Sequence, residues 1–356
     1  MPQSSGIGMG KLFGISIELH WLSVFFLVFS LLVSVYFFVI ILLLLVSILL
    51  HEISHSVTAI RNGIKVRKII LILPIGGFSA IDTLGVKPRT EFNIALAGPL
   101  SSLLLGSVFG VLVVFAPVGI ATQYLQFMFE VNILLGVFNI IPVFPMDGGR
   151  MFESYLSLHR SEYDATMLTV KLSTSLIWLI LAGTFAFVYV SQASLFYRIY
   201  VAVIMIFIAM FLYQGTAAAA SLANLKKHTR GINLRHVLTR QFKFVEPDAS
   251  PSELYSLMRL SRAHVMITKL GEGYGSVSIP YSRLGSVKNA ASIAKTIPSF
   301  DIKTNAVDAM TMLESSDSSL AAVTSKGRLS GIVTLQNLQA FLSLHVLNKK
   351  TAARQA

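Results

Sequence analysis

Long apolar runs alternate with short polar breaks along this chain, and the spacing of the breaks sets the elements. The run from Leu19 to Ile60 is too long for one bilayer crossing, for which about 20 residues suffice. It reads as two helices joined by a tight turn within Ser30–Tyr36, with one long tilted helix as the alternative. Residues 64–82 differ in texture. IKVRKIILIL is rich in β-branched side chains, Pro74-Ile75-Gly76-Gly77 breaks it, and Phe78–Ile81 resumes it. One or two short strands at the membrane edge are predicted there. Further apolar helices are predicted over about Glu91–Phe115, Thr122–Pro142, Met167–Val190 and Leu195–Leu222, for six spans in all. After residue 222 the pattern becomes that of a mixed α/β domain. The predicted fold class is a polytopic α-helical membrane protein with a short membrane-edge β element and a cytoplasmic α/β domain. The predicted divisions are a membrane domain over 1–222, a basic linker over 223–230, an α/β domain over 231–346 and a basic tail over 347–356.

Composition supports the membrane reading. Of 356 residues, 54% are hydrophobic and only 13% charged, and the mean hydropathy is +0.70. An ordinary soluble globular chain is excluded. The first apolar run is long and lacks a small-residue cleavage site, so it reads as a retained anchor. Charge is uneven: residues 1–222 hold 11 Lys+Arg and 9 Asp+Glu, and residues 223–356 hold 18 and 8. The basic C-terminal part suits proximity to anionic headgroups. Its cations are scattered, which argues against nucleic acid as a partner. With six spans, the N-terminus, the 61–90 loop, the 146–171 loop and the C-terminal domain share one side. That side holds nearly all the membrane-proximal cations, and the other holds only Arg198. By the positive-inside rule the cation-rich side of this multi-pass cell-membrane protein is cytoplasmic.

The candidate chemistry lies at the end of the second predicted helix. His51-Glu52-Ile53-Ser54-His55 places two imidazoles at i and i+4, on one helix face, where both can bind one Zn²⁺. Glu52 sits beside them as a candidate base for a metal-activated water. Polar side chains inside an apolar run are costly and functional by default. Two interfacial histidines ending a membrane helix are the bland alternative. Cysteine is absent, so a metal must use histidines and carboxylates. A catalytic zinc needs a third protein ligand. No acidic residue occurs between Glu52 and Asp82, so the candidate comes from another span. Asp147 fits, after the break at Pro142 and Pro145 and before Gly148-Gly149, at similar depth if the fourth span re-enters. The same stretch also reads as a turn with Asp147 capping the next helix.

Over roughly residues 12–222 the sequence resembles the site-2 protease family of intramembrane zinc metalloproteases. The resemblance rests on Ile17-Glu18-Leu19-His20, His51–His55, Leu73-Pro74-Ile75-Gly76-Gly77, Ala97-Gly98-Pro99 and the Asn139–Gly149 stretch. It implies His51, His55 and Asp147 as zinc ligands, Glu52 as catalytic base, and a polar role near the scissile carbonyl for Asn139. It also implies that the strand at Pro74, Gly76 and Gly77 holds an unwound segment of a transmembrane protein substrate by edge pairing. The implied function is regulated intramembrane proteolysis, with the bilayer as surroundings and a water path from the cytoplasm. One departure is Ser101-Ser102, where many relatives carry an asparagine; it is read as packing variation. His20 reads as an interfacial anchor or packing group.

Two weakly similar units follow residue 230. Each reads as strand–helix–strand–strand–helix, ending the strands in Gly275-Ser276-Val277-Ser278 and Gly331-Ile332-Val333-Thr334. Together they resemble a CBS-domain pair, which implies regulation by an adenine nucleotide or homodimerisation. The usual acidic residue after the Ser/Thr is Tyr281 in one unit and Asn337 in the other, which weakens ribose recognition. Two rival readings remain: a non-catalytic zinc-binding scaffold and a CBS-regulated transporter. A scaffold has no use for Glu52, and a transporter should show broken helices in both halves, whereas the one strong break is Pro142–Gly149.

Overall fold

The computed structural model describes residues 6–73, 76–81, 86–260, 266–277, 288–314, 316 and 318–355. They form two compact units, residues 2–224 and 225–356. The first opens with an antiparallel hairpin, β1 (Gly6–Leu12) and β2 (Ile15–His20). Phe13 and Gly14 turn it with φ of 51° and 81°. Two apolar helices follow, α1 (Trp21–Val33) and α2 (Val35–Arg61). Ser34 alone separates them. Its backbone is extended, and its hydroxyl caps α2 by accepting from Phe37 N at 3.0 Å. Then come β3 (Val66–Ile72) and β4 (Gly76–Ile81).

These strands make one sheet in the order β1-β2-β3-β4. No strand is predicted before Leu19, yet the N-terminal hairpin supplies two of the four strands of this sheet. β2 and β3 are parallel neighbours, with Ser16 opposite Lys68 and Leu19 opposite Leu71. The chain therefore leaves the sheet along α1 and returns to it along α2. Alternation decides which face is buried: Ile15, Ile17 and Leu19 of β2 point inward. Ile15, Leu19, Ile69 and Leu71 pack with Leu45 and Ile48 of α2. Buried Ser23 of α1 donates to Leu71 O at 2.9 Å and accepts from Leu73 N at 2.7 Å, tying α1 to the end of β3.

The unit continues with α3 (Pro88–Phe115), α4 (Ile120–Ile140), the short α5 (Asp147–Leu156), α6 (Glu162–Val190) and α7 (Leu195–His228). Five helices, α2, α3, α4, α6 and α7, are long and apolar enough to cross a membrane. The sixth expected span is α1, which has only 13 residues. That is about 20 Å of helix, against about 30 Å of bilayer hydrocarbon. β2 takes the chain up to His20, whose imidazole accepts from Leu22 N and so starts α1, and Ser34 ends it. His20 is thus an N-cap. Close approach of α3 and α4 depends on small residues. A Cβ on Gly136 would lie 2.7 Å from Leu103 Cγ and 3.1 Å from Pro99 O.

The second unit contains β5 (Lys243–Val245), α8 (Pro251–Leu260), β6 (Met266–Leu270), β7 (Gly273–Val277) and β8 (Lys295–Ile297). It ends with β9 (Ser299–Asp301), α9 (Ala306–Glu314), β10 (Leu320–Ser325), β11 (Arg328–Thr334) and α10 (Leu335–Gln355). The strand pairings repeat. β5 runs parallel to β6, which is antiparallel to β7; β9 runs parallel to β10, which is antiparallel to β11. This duplicated strand–helix–strand–strand topology is the one expected of a CBS pair. The stretch expected as a linker is helical through His228, and the expected tail continues α10. Lys, Arg and Ala are good helix formers, so a basic composition does not end a helix.

Helix packing gives the first prediction. Gly136→Ala is expected to destabilise the protein by about 1–3 kcal/mol, as overpacking does. Gly183→Ala, where nothing lies within 4 Å of the added methyl, should leave stability unchanged. Thermal unfolding in detergent checks both, and equal midpoints for the two variants would contradict the packing account.

Candidate metal centre

His51 and His55 are both buried on one face of α2. Asp147, the first residue of α5, is buried against them. Asp147 Oδ2 lies 3.1 Å from His51 Nε2 and 3.1 Å from His55 Nε2, and the two Nε2 atoms are 3.2 Å apart. Among the described residues this is the one His/Asp/Glu group close enough to share a metal ion.

The partners of the other ring nitrogens decide what this cluster is. His55 Nδ1 lies 2.7 Å from Ile94 O of α3, and His51 Nδ1 lies 2.9 Å from Ser102 Oγ. A carbonyl only accepts, so His55 Nδ1 carries the proton. In the neutral ring, His55 Nε2 is then a bare lone pair. It faces a carboxylate oxygen and the His51 Nε2, and three such acceptor-capable atoms so close together suit a shared cation. Ligands about 2.0–2.2 Å from a tetrahedral zinc lie about 3.3–3.6 Å apart, within a few tenths of the observed separations. Two imidazoles and a carboxylate are also a donor set zinc accepts, and hydrogen-bonded Nδ1 atoms are what orient such ligands.

Asp147 reaches the histidines because the chain folds back tightly after α4. A Cβ on Gly148 would overlap the carbonyls of Ile140 and Ile141, and one on Gly149 would lie 2.8 Å from Val143 C. The loop is pinned from behind. Phe144 N donates to Ser173 Oγ of α6 at 3.2 Å, and Thr216 Oγ1 of α7 donates to Phe144 O at 3.3 Å. A Cβ on Gly215 of α7 would press on Pro145. Asp147 divides its oxygens: Oδ2 faces the histidines, and Oδ1 lies 3.8 Å from Arg150 Nη1. Arg150 also faces Glu91 Oε1 at 3.8 Å.

The other expected site residues divide. Glu52, half-buried next to His51, accepts from Ser79 Oγ of β4 at 2.5 Å. A Cβ on Gly77 would overlap the Glu52 side chain, so this part of β4 is at the site. Gly76 opens the strand with a φ of +130° that favours glycine. Pro74 lies outside the described residues. Asn139, half-buried near the end of α4, donates its amide to Leu135 O of its own helix at 2.9 Å.

Three contacts went unread in the sequence. Ser102, taken as packing variation, holds His51. Gly98 forms a backbone wall: a Cβ there would lie 2.7 Å from His51 Nε2 and overlap His55. Ser79 holds Glu52. A hydroxyl or a glycine in an apolar helix or strand carries no periodic signal; the nearest hint was the Ala-Gly-Pro run itself.

Residues 39–120 and 116–183 match the family model of Peptidase family M50. A zinc metalloprotease of Methanocaldococcus jannaschii is 30% identical over 258 residues, which is 71% of this chain and 71% of that protein. The solved site-2 protease from Methanocaldococcus jannaschii has 32% sequence identity and covers 60% of this chain and 95% of its own, with a TM-score of 0.45. The CBS domain of the bacterial CNNM/CorC family Mg²⁺ transporter in complex with ATP is 16% identical, covering 34% of this chain and 94% of its own, with a TM-score of 0.29. Buried His51 and His55 on the apolar α2, with Asp147 of α5 against them, agree with that first relationship, and the chain belongs to peptidase family M50, as a zinc metalloendopeptidase of the membrane.

Proposed function

We propose that this chain hydrolyses peptide bonds within or near transmembrane helices of membrane-protein substrates, at a zinc ion held by His51, His55 and Asp147. The observation that carries the reading is the convergence of His51 Nε2, His55 Nε2 and Asp147 Oδ2 at 3.1–3.2 Å, with the His55 proton committed to Ile94 O. A zinc ion held there would supply Lewis acidity and would acidify a water. Glu52 is the residue we assign to taking a proton from the attacking water and passing it to the leaving amine. Asn139 uses one N–H on Leu135 O; the other is the one we assign to the carbonyl oxygen of the scissile bond as negative charge develops on it. β4 has β3 as its partner in the described sheet. Its other edge is assigned to an unwound substrate segment, with Gly76 and Gly77 admitting a second backbone; Pro74, which belongs to the same assignment, lies outside the described residues. Helix-weakening residues in the substrate then favour cleavage.

The α1–α2 excursion returns to the same sheet, which supports the parity of sides expected for six spans even with a short α1. The cation-rich side is proposed to be cytoplasmic, and water reaches the site from there. The duplicated C-terminal unit is proposed as a regulatory module, with an adenine nucleotide or a second copy of the chain as candidate partners. Thr334 Oγ1 accepts from Asn337 N at 3.2 Å and so caps α10; Ser278 and Tyr281 lie outside the described residues.

Three measurements follow. Purified protein in detergent should cleave a reporter transmembrane helix. Glu52→Ala should abolish this, and a zinc chelator should abolish it until Zn²⁺ is returned; cleavage that survives Glu52→Ala would sink the mechanism. Ser102→Ala should weaken zinc binding about 10–100-fold, the usual cost of losing a ligand's hydrogen-bond partner. Chelator competition reads this out, and an unchanged affinity would remove Ser102 from the centre. The chain has no cysteine, so single replacements report sidedness cleanly. In intact cells an impermeant thiol reagent should label Gln192→Cys and spare His159→Cys, and the reverse pattern would invert the orientation.

A further inference from the structure

We infer that Ser79 is a positioning residue for Glu52, so that the strand assigned to substrate also sets the direction of the proposed base. This rests on the function proposed above. Side chains two apart on a strand share a face. Gly77 and Ser79 are such a pair, and both meet Glu52. Ser79 Oγ is 2.5 Å from Glu52 Oε2. A Cβ at Gly77 would overlap Glu52 Cγ and lie 2.9 Å from Cδ and Oε1. Backbone therefore confines the carboxylate at one position while a hydroxyl fixes it at the next.

The direction of that hydrogen bond is set from α2. Ser56, fully buried, lies one turn beyond Glu52. Its hydroxyl donates to Ser79 Oγ at 3.3 Å. Ser79 thus accepts from Ser56 and gives its one proton to Glu52, which as a carboxylate can only accept. The strand itself is anchored: Ser79 stands opposite Ile69 of β3, a fully buried core residue. Glu52 is one residue from His51 on a helix already fixed by the His51–Ser102 contact. Its remaining freedom is side-chain rotation, and Ser79 removes that. Hydrogen bonds to charged groups are among the stronger ones, and losing orientation at a reacting group lowers turnover more than binding.

Three variants test this on the full chain in detergent, with kcat and KM for the reporter helix and zinc content measured on each. Ser79→Ala and Ser79→Val should lose about tenfold in kcat, with KM within about twofold and one zinc retained. Ser79→Thr keeps the hydroxyl and matches Val in shape, so it should recover most of the rate. Wild-type kcat in Ser79→Ala, a Thr variant as slow as Val, or a loss confined to KM would each overturn the inference. The parent reading is separable. If wild type cleaves and Glu52→Ala does not, while Ser79→Val is unimpaired, the inference alone fails. A wild-type protein that cleaves no reporter, or a Glu52→Ala variant that still cleaves, overturns both.

Discussion

Two imidazole nitrogens and a carboxylate oxygen held together in a buried site form the constraint on which the membrane unit depends. In water, three such atoms at 3.1–3.2 Å would turn away and be solvated. Here burial removes that option, and low dielectric strengthens whatever interaction remains. A divalent cation among them would turn mutual repulsion into a shared attraction. The protein has then to keep the three atoms in place, and most of the surrounding geometry serves that need.

It does so largely with backbone. Gly98 brings α3 against both imidazoles, and Ile94 O of the same helix accepts the His55 proton. Gly148 and Gly149 let α5 fold onto the end of α4, which puts Asp147 at its first position. Helices α6 and α7 supply no ligand, yet Ser173, Gly215 and Thr216 hold the Val143–Met146 loop from behind. Packed small residues transmit position with little side-chain entropy to lose. This explains why so much of what surrounds His51, His55 and Asp147 is glycine, serine and carbonyl oxygen.

The same economy governs what could be read in advance. His51, Glu52 and His55 were legible because charged groups stand out in an apolar run. Asp147 was legible because prolines and glycines punctuate the only strong break in a helix. Ser102 and Ser79 were not: Ser23, Ser30 and Ser47 are also buried in these helices, and nothing local separates a ligand's support from a helix-packing hydroxyl. The N-terminal hairpin was missed for a different reason. β1 is exposed along its length, and β2 finds its partner some fifty positions later in β3, so its strand character is set by tertiary pairing. The short α1 follows from the same miss, since β2 removes Leu19 and His20 from what looked like one apolar run. In the C-terminal unit, alternating strands and their spacing were enough to show the duplication, but the first repeat's motif residues Ser278 and Tyr281 fall outside the described residues.

Register links these two observations. Ile69 and Leu71 of β3 are buried with α2, and they stand opposite Ser79 and Gly77 of β4. A slip of one residue in β4 would turn Gly77 and Ser79 away from α2 and drive Phe78 toward Glu52, because side chains alternate with period two. The apolar face of β3 makes that slip costly, since its own alternation is locked into the core with Ile15 and Leu19 of β2. A hairpin at the start of the chain, with no residue in the metal centre, therefore helps decide which strand residues face the carboxylate beside it. Hydrophobic burial in the sheet becomes orientation at the site, through register and not through any direct contact.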